Sequence, residues 1–432
     1  MSSKESISST ESMAYAKANG FPDYALDIRQ RALKLYPTLP WPDFQKVKYH
    51  HWPLEEAIYT DQVSSFELDK EVKEDPMTSA QLLRVDQKTL LERMDKDLLE
   101  QGVIVTDLLT AMKEYPDFIK KYLNQAVPVE ESRLTAFHMA HLLGGAFVYI
   151  PKNTKINKPI ELDFWQDNTI RASFHQHVLL VADEGAEVEL MEKWTSYGDV
   201  DNSGTIVVEL IAKDNSKITY GTLDYLNKQS TIYMNRRGRL SANARIDWMV
   251  GAMSEGNLIG DFNADLAGEG SESYLNVIAA TNGKQVKGID TRVTNMAKRT
   301  VGHIKQHGVI MDQSTLTFNG IGHIWKNAKN ADAQQESRVL MLSDQAQGDA
   351  NPILLIDEFE VQAGHAASVG QVDDQQMYYL KSRGLDEETA RRLVIRGFLG
   401  AVLQRVKRPE WRQAFAQLID QKLAQDLAKH KK

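Results

Sequence analysis

The chain has no cysteine in 432 residues, and that absence removes more chemistry than any motif supplies. Without thiolates there is no disulfide framework, no cysteine zinc site and no iron–sulfur cluster held on the chain's own cysteines. Any such metal has to borrow ligands. No run of about 18 apolar residues is present to cross a bilayer, and no charged-then-apolar amino-terminal signal is seen, so a cytoplasmic protein without a membrane partner is expected. Basic charge is also short. With 51 Lys and Arg against 59 Asp and Glu, the formal net charge is −8, which argues against a nucleic-acid partner because such surfaces are basic enough to displace counterions from phosphate. The lysine-rich stretch "AKHKK" is too short to reverse this. Familiar catalytic devices are missing as well: Gly283-Lys284 is followed by Gln285 and makes no phosphate loop, and no G-x-G-x-x-G, G-x-S-x-G or H-E-x-x-H occurs in context. These gaps argue against an NTPase or a hydrolase of those classes.

What is present divides into three parts by periodicity. Residues 1–157 form a helical or mixed region: "MAYAKANG", "YALDIRQRALKLYP" and "TDLLTAMKEYPDFIKKYL" read as helices, the last capped by Thr106 or Asp107. Prolines 37, 40, 42 and 53 break the aromatic segment between the second and third of these, and residues 1 to about 12 read as loose. From 158 to 370 the period falls to two, in short stretches such as "HVLLVAD", "TIVVELIA" and "STLTFNGIGHI" punctuated by Gly, Asn and Asp. No helix of ordinary length separates them, which disfavours a doubly wound sheet and leaves a sandwich, a barrel or a stacked solenoid. Asn319-Gly320 is not repeated as a hairpin signal, a weak pointer to the solenoid. From 371 to 432 the helical period returns, with Asp373 and Asp386 as N-caps, Gln376 in a capping-box position, Gly384 as a stop and Pro409 opening a last helix.

Histidine is the remaining source of chemistry. His303 and His307 share a strand face but stand roughly 13 Å apart at about 3.3 Å per residue, too far for one ion. His175 with His177, and His138 with His141, read as structural pairs. His365 is the singular case, because "VQAGHAASVG" surrounds it with small side chains. A lone histidine is most often a hydrogen-bonded structural residue, whereas small neighbours let another surface come close. The residue types alone leave both readings open.

The run "QESRVLMLSDQAQGDANPILLIDEFEVQAGHAASVGQVDDQQMYYLKSRGLDEETARRLVIRGF" resembles the SufB/SufD family of iron–sulfur cluster assembly proteins, with "GHAASVGQVDDQQMYYLKSRGL" similar to its SufD members. "GVIVTDLLTAMKEYPDFIKKYL" and "TAFHMAHLLGGAFVYIPKNTKINKPIEL" extend the similarity over most of the chain. The resemblance implies a right-handed parallel β-helix flanked by N-terminal and C-terminal helical segments. It further implies a non-catalytic scaffold that pairs with a SufB-like subunit, or with itself in isolation, and that binds a SufC-like ATPase through its C-terminal helices. Leu393, Ile395, Phe398, Leu399 and Leu403 are the docking candidates there. By the same resemblance His365 faces the SufB-like subunit as a candidate ligand of a nascent iron–sulfur cluster shared between the two and not bound stably by this chain alone. Some relatives carry a cysteine where this chain has Ala363, and no role resting on that thiol transfers. A β-helix enzyme acting on a polysaccharide is the alternative, though such enzymes cluster catalytic carboxylates on one solenoid face and often carry an export signal.

Overall fold

The computed structural model describes residues 2–60 and 75–430. Helices α1 (Ser2–Ala18) and α2 (Asp23–Leu35) open the chain; the stretch before residue 12, read as loose, belongs to α1. Strands β1 (Ala80–Val85) and β2 (Lys88–Met94), helix α3 (Lys96–Glu100) and strand β3 (Ile104–Asp107) follow. The next apolar run is two helices rather than one, α4 (Leu108–Glu114) and α5 (Pro116–Tyr122). Pro116 has no N–H to continue α4 and forces Tyr115 out of the helical region, at φ −126° and ψ 48°. Asp107 caps α4 as read, accepting from Leu109 N and Thr110 N. Helix α6 (Arg133–Ala140) leads to β4 (Gly144–Ile150).

Two sheets then grow side by side into a β-solenoid of about 8 turns. The first takes β5 (Ile160–Asn168), β7 (Glu187–Gly198), β9 (Lys217–Tyr225), β11 (Arg245–Ala252), β13 (Glu272–Thr281), β15 (Val301–Ile310), β17 (Asp332–Met341) and β19 (Gln362–Gln371). The second takes β4, β6 (Phe174–Ala182), β8 (Asn202–Ala212), β10 (Ser230–Leu240), β12 (Leu258–Leu266), β14 (Val286–Asn295), β16 (Thr315–Ile324) and β18 (Gln347–Ile356). All these pairings are parallel; among the described residues only β1–β2 and β3–β4 are antiparallel. Asn319-Gly320 lies inside β16, not at a turn.

The period of two is the solenoid's inside-outside alternation, since successive side chains of a strand point to opposite faces. In β6, Phe174, Val178 and Leu180 join the lumenal core while Leu179 and Val181 face outward to the N-terminal helices. The repeated Asn, Asp and Gly residues are the corners: Asn153, Asn215, Asn243 and Asp312 have φ between 53° and 61°, a left-handed conformation that short polar side chains tolerate.

Helices α7 (Asp374–Ser382), α8 (Glu387–Leu403) and α9 (Pro409–His430) close the chain, and α8 and α9 lie along the outer face of the first sheet. Trp411 and Phe415 press on the strand backbone. A Cβ at Gly221 would come within 2.7 Å of Trp411, and one at Gly251 within 2.5 Å of Phe415. The outer face of the second sheet is covered by the N-terminal helices over β4, β6 and β8 and by the aromatic segment from Phe44 to Leu54 over Tyr233 and Ile259.

Candidate partner interface at the solenoid end

The last turn of the solenoid is where the fold stops without closing. Strands β18 and β19 end their sheets, each hydrogen-bonded on one side only, to β16 and β17. The free edge of β19 reads "QAGHAASVGQ", with no charge and no proline to deter another strand, although edge strands ordinarily carry such guards. In β18, Pro352 removes one N–H. The β19 edge is the better template for strand addition.

Register sets which side chains face the lumen. Ala333, Gln335, Ser337 and Val339 of β17 are buried, and their partners one turn on are Ala363, His365, Ala367 and Val369. His365 thus stands on the lumenal face of an uncovered turn, flanked on that face by Ala363 and Ala367. Gly364 and Ala366, expected to lower the surface beside the ring, lie on the outer face instead. His365 is exposed and has no hydrogen-bond partner among the described residues, the opposite of a buried structural histidine. Around it the turn exposes apolar area at Leu355 (44%), Ile356 (44%) and Val369 (41%). At the corner after β18, Asn330 N donates to Glu360 O, Asn327 N to Glu358 Oε2 and Lys329 pairs with Glu360 at 3.0 Å, which leaves Phe359 projecting.

Among the described residues no group of three or more His, Asp or Glu side chains is placed to hold a metal ion. His138, His175, His177, His303 and His307 are committed elsewhere. His303 bonds Asp332 at 2.9 Å, and His307 meets Glu336 and the Phe398 carbonyl, both at 2.9 Å. His175 and His177 are buried structural residues as read, and His175 Nδ1 meets its cross-strand partner Thr205 at 2.9 Å. His138 Nδ1 meets Thr205, its Nε2 meets His177 Nδ1 at 3.1 Å, and His177 Nε2 meets Glu209 at 3.0 Å. Glu209 also accepts from the backbone N–H groups of Asn124, Ala126 and Val127, so this network seats the helical region on the second sheet. Burial lowers His175 to about 3 and holds His138 well below 6.5.

The lumen carries a second set of polar groups that sequence reading missed. Arg236 pairs with Asp224 at 2.6 Å, both fully buried, and Tyr220 donates to Glu192, whose carboxyl burial raises to about 7. Lumenal position is invisible until register is known; the only signal was charged residues inside β-periodic stretches.

The proposed docking set on α8 divides. Ile395, Leu399 and Leu403 are buried against the first sheet with Met191, Leu223 and Met249. Their apolar stripe is spent within the chain, a correction to the expectation of an exposed face. Phe398 is half-buried, stacked on His307 at 4.8 Å. Leu393 alone is exposed, at 47%; Tyr378 and Tyr379 of α7 are exposed too.

Fold and site together define a helix-flanked β-solenoid protein whose last turn is left uncovered. Its sequence matches the family described as SUF system FeS cluster assembly, SufBD core domain, over residues 164–398, and the SufBD protein N-terminal region over residues 28–162. It is 37% identical to the iron–sulfur cluster assembly protein SufD of Bacillus subtilis (strain 168), across 98% of this chain and 99% of that one. A SufBD family protein of Staphylococcus aureus (strain USA300) is 26% identical across 88% of this chain and 85% of its own length. The chain belongs to the SufBD family of iron–sulfur cluster assembly proteins.

Proposed function

We propose that this chain is a non-catalytic scaffold subunit that offers its open solenoid end to a SufB-like subunit, while its C-terminal helices couple it to a SufC-like ATPase. One observation carries the reading: a lone, exposed, unpartnered histidine sits at an uncovered turn beside an unguarded strand edge. A second solenoid added there would continue the sheet, cover Ile356 and Val369, and place its own ligands opposite His365. Iron bridged by sulfide prefers thiolates, and with none in this chain a nascent cluster draws most of its ligands from the partner. His365 supplies an imidazole to a cargo in transit.

The test is His365→Ala in the complex reconstituted with a SufB-like subunit and a SufC-like ATPase. Because the ring has no hydrogen-bond partner, its removal leaves nothing buried and unsatisfied, and stability should stay within about 0.5 kcal/mol of wild type. Partner binding should persist while cluster formation falls sharply. Clusters built at the normal rate, or early unfolding of the variant, would remove His365 from the site.

A further inference from the structure

Directly beneath His365, the lumen holds an acceptor with nothing to accept. Gln335 is 5% exposed, and its Nε2 donates to the Ile353 carbonyl at 2.8 Å, which fixes the amide with Oε1 as the acceptor. That Oε1 is buried without a hydrogen-bond partner among the described residues, an uncommon state for a buried polar atom. Nearby donors are committed: Ser337 Oγ donates to Gln306 Oε1 at 2.7 Å, and Gln306 Nε2 to Thr291 Oγ1 at 2.7 Å. Two glycines shape the space around the amide. A Cβ at Gly320 would lie 3.0 Å from Gln335 Oε1, and one at Gly322 would lie 2.6 Å from Nε2. Toward the open end the next strand of the stack is β19. There the register partner of Gln335 is His365, on the same face and roughly 4.8 Å away along the stack.

We propose that Gln335 is the positioning residue for His365, accepting a hydrogen bond from one imidazole N–H when a partner covers the solenoid end, so that the other ring nitrogen is left bare toward the cluster. The inference rests on the reading of His365 as an interface ligand. A ligating imidazole needs its second nitrogen fixed by an acceptor, because that bond selects the tautomer and the ring's orientation. The half-satisfied amide below supplies such an acceptor, and Gly320 and Gly322 give it room.

The experiment compares Gln335→Leu, Gln335→Glu and His365→Ala in the reconstituted complex. Gln335→Leu removes the acceptor and should slow cluster formation about tenfold, the usual effect of losing a ligand's supporting hydrogen bond. Gln335→Glu retains an oxygen at the same place and should recover most of the rate. Independently of activity, ¹⁵N-histidine labelling of the complex, with the His365 signals assigned by their loss in His365→Ala, should show one ring tautomer in wild type and a mixture in Gln335→Leu. An unchanged tautomer in Gln335→Leu, or equal losses of melting temperature and rate in both Gln335 variants, would overturn the assignment and make Gln335 a packing residue. If His365→Ala itself is silent, the interface reading has failed and this one falls with it; if only Gln335→Leu is silent, this one fails alone.

Discussion

Burial of His138, His141 and His175 makes protonation costly at three neighbouring positions. Desolvation is the leading cause for each, and it lowers His175 to about 3 and the other two well below 6.5. The unfolded chain takes up these protons near 6.5 while the folded chain does not, so their stabilising contribution is complete above that pH and is lost as the pH falls toward the folded value. Buried carboxyls run the other way. Glu192, raised by burial to about 7, and Asp290, raised to about 8, stabilise at low pH and lose that contribution as the pH rises through those values. A difference measurement separates the two. The stability gap between wild type and His175→Asn, from urea unfolding, should shrink by about 2 kcal/mol between pH 7.5 and pH 5. A gap constant across that range would contradict the assignment. At this scale the sequence was only partly legible: the small residues around His365 marked it as unusual, yet which of them share its face is a matter of register, and Gln335 carries no local mark at all.

Helix α8 shows why an apolar stripe identifies a buried face but not what buries it. Ile395, Leu399 and Leu403 repeat at helical spacing whether the covering surface is the chain's own sheet or another protein, and here it is the sheet. Leu399→Ala should therefore cost about 2–5 kcal/mol of stability with or without an ATPase present. Leu393→Asp, at an exposed site, should leave thermal stability near wild type and weaken capture of a SufC-like ATPase. Equal capture by wild type and Leu393→Asp would move the docking surface off α8. Phe398, stacked on His307 with its carbonyl accepting from that ring, now counts as part of the α8 anchor rather than a free contact. Elsewhere, local signals served where they were short-range hydrogen bonds: Asp107, Asp373 and Asp386 cap the helices they precede. The break at Pro116 was equally local and was passed over because the apolar spacing runs through it.

For the molecule as a whole, the period of two announced strands but not their stacking, because a solenoid is defined by which residues meet a turn apart. Leu210, Gly238, Ala264, Val293, Gly322 and Leu354 form one such column, with no repeat in their identities. The resemblance to SufB and SufD supplied the architecture that spacing left open. Lack of thiols sets a prediction at this scale: anaerobic reconstitution of the isolated chain with iron and sulfide should give no stoichiometric cluster by visible absorbance or by iron and sulfide assay. A robust spectrum would count against a shared site. The stacking also has a mechanical side. Backbone hydrogen bonds in both sheets run along the long axis, so tension or compression on that axis is borne by parallel rows of bonds and not by loops. Helices α8 and α9 hold the flank along much of its length, from Arg408 in the link between them, paired with Glu189 of β7, through Trp411 and Phe415, to Phe398 stacked on His307 of β15, two turns from β19. From β15 the sheet runs on through β17 to β19 in unbroken register, which ties the turn carrying His365 to the flank held by α8 as one stiff body.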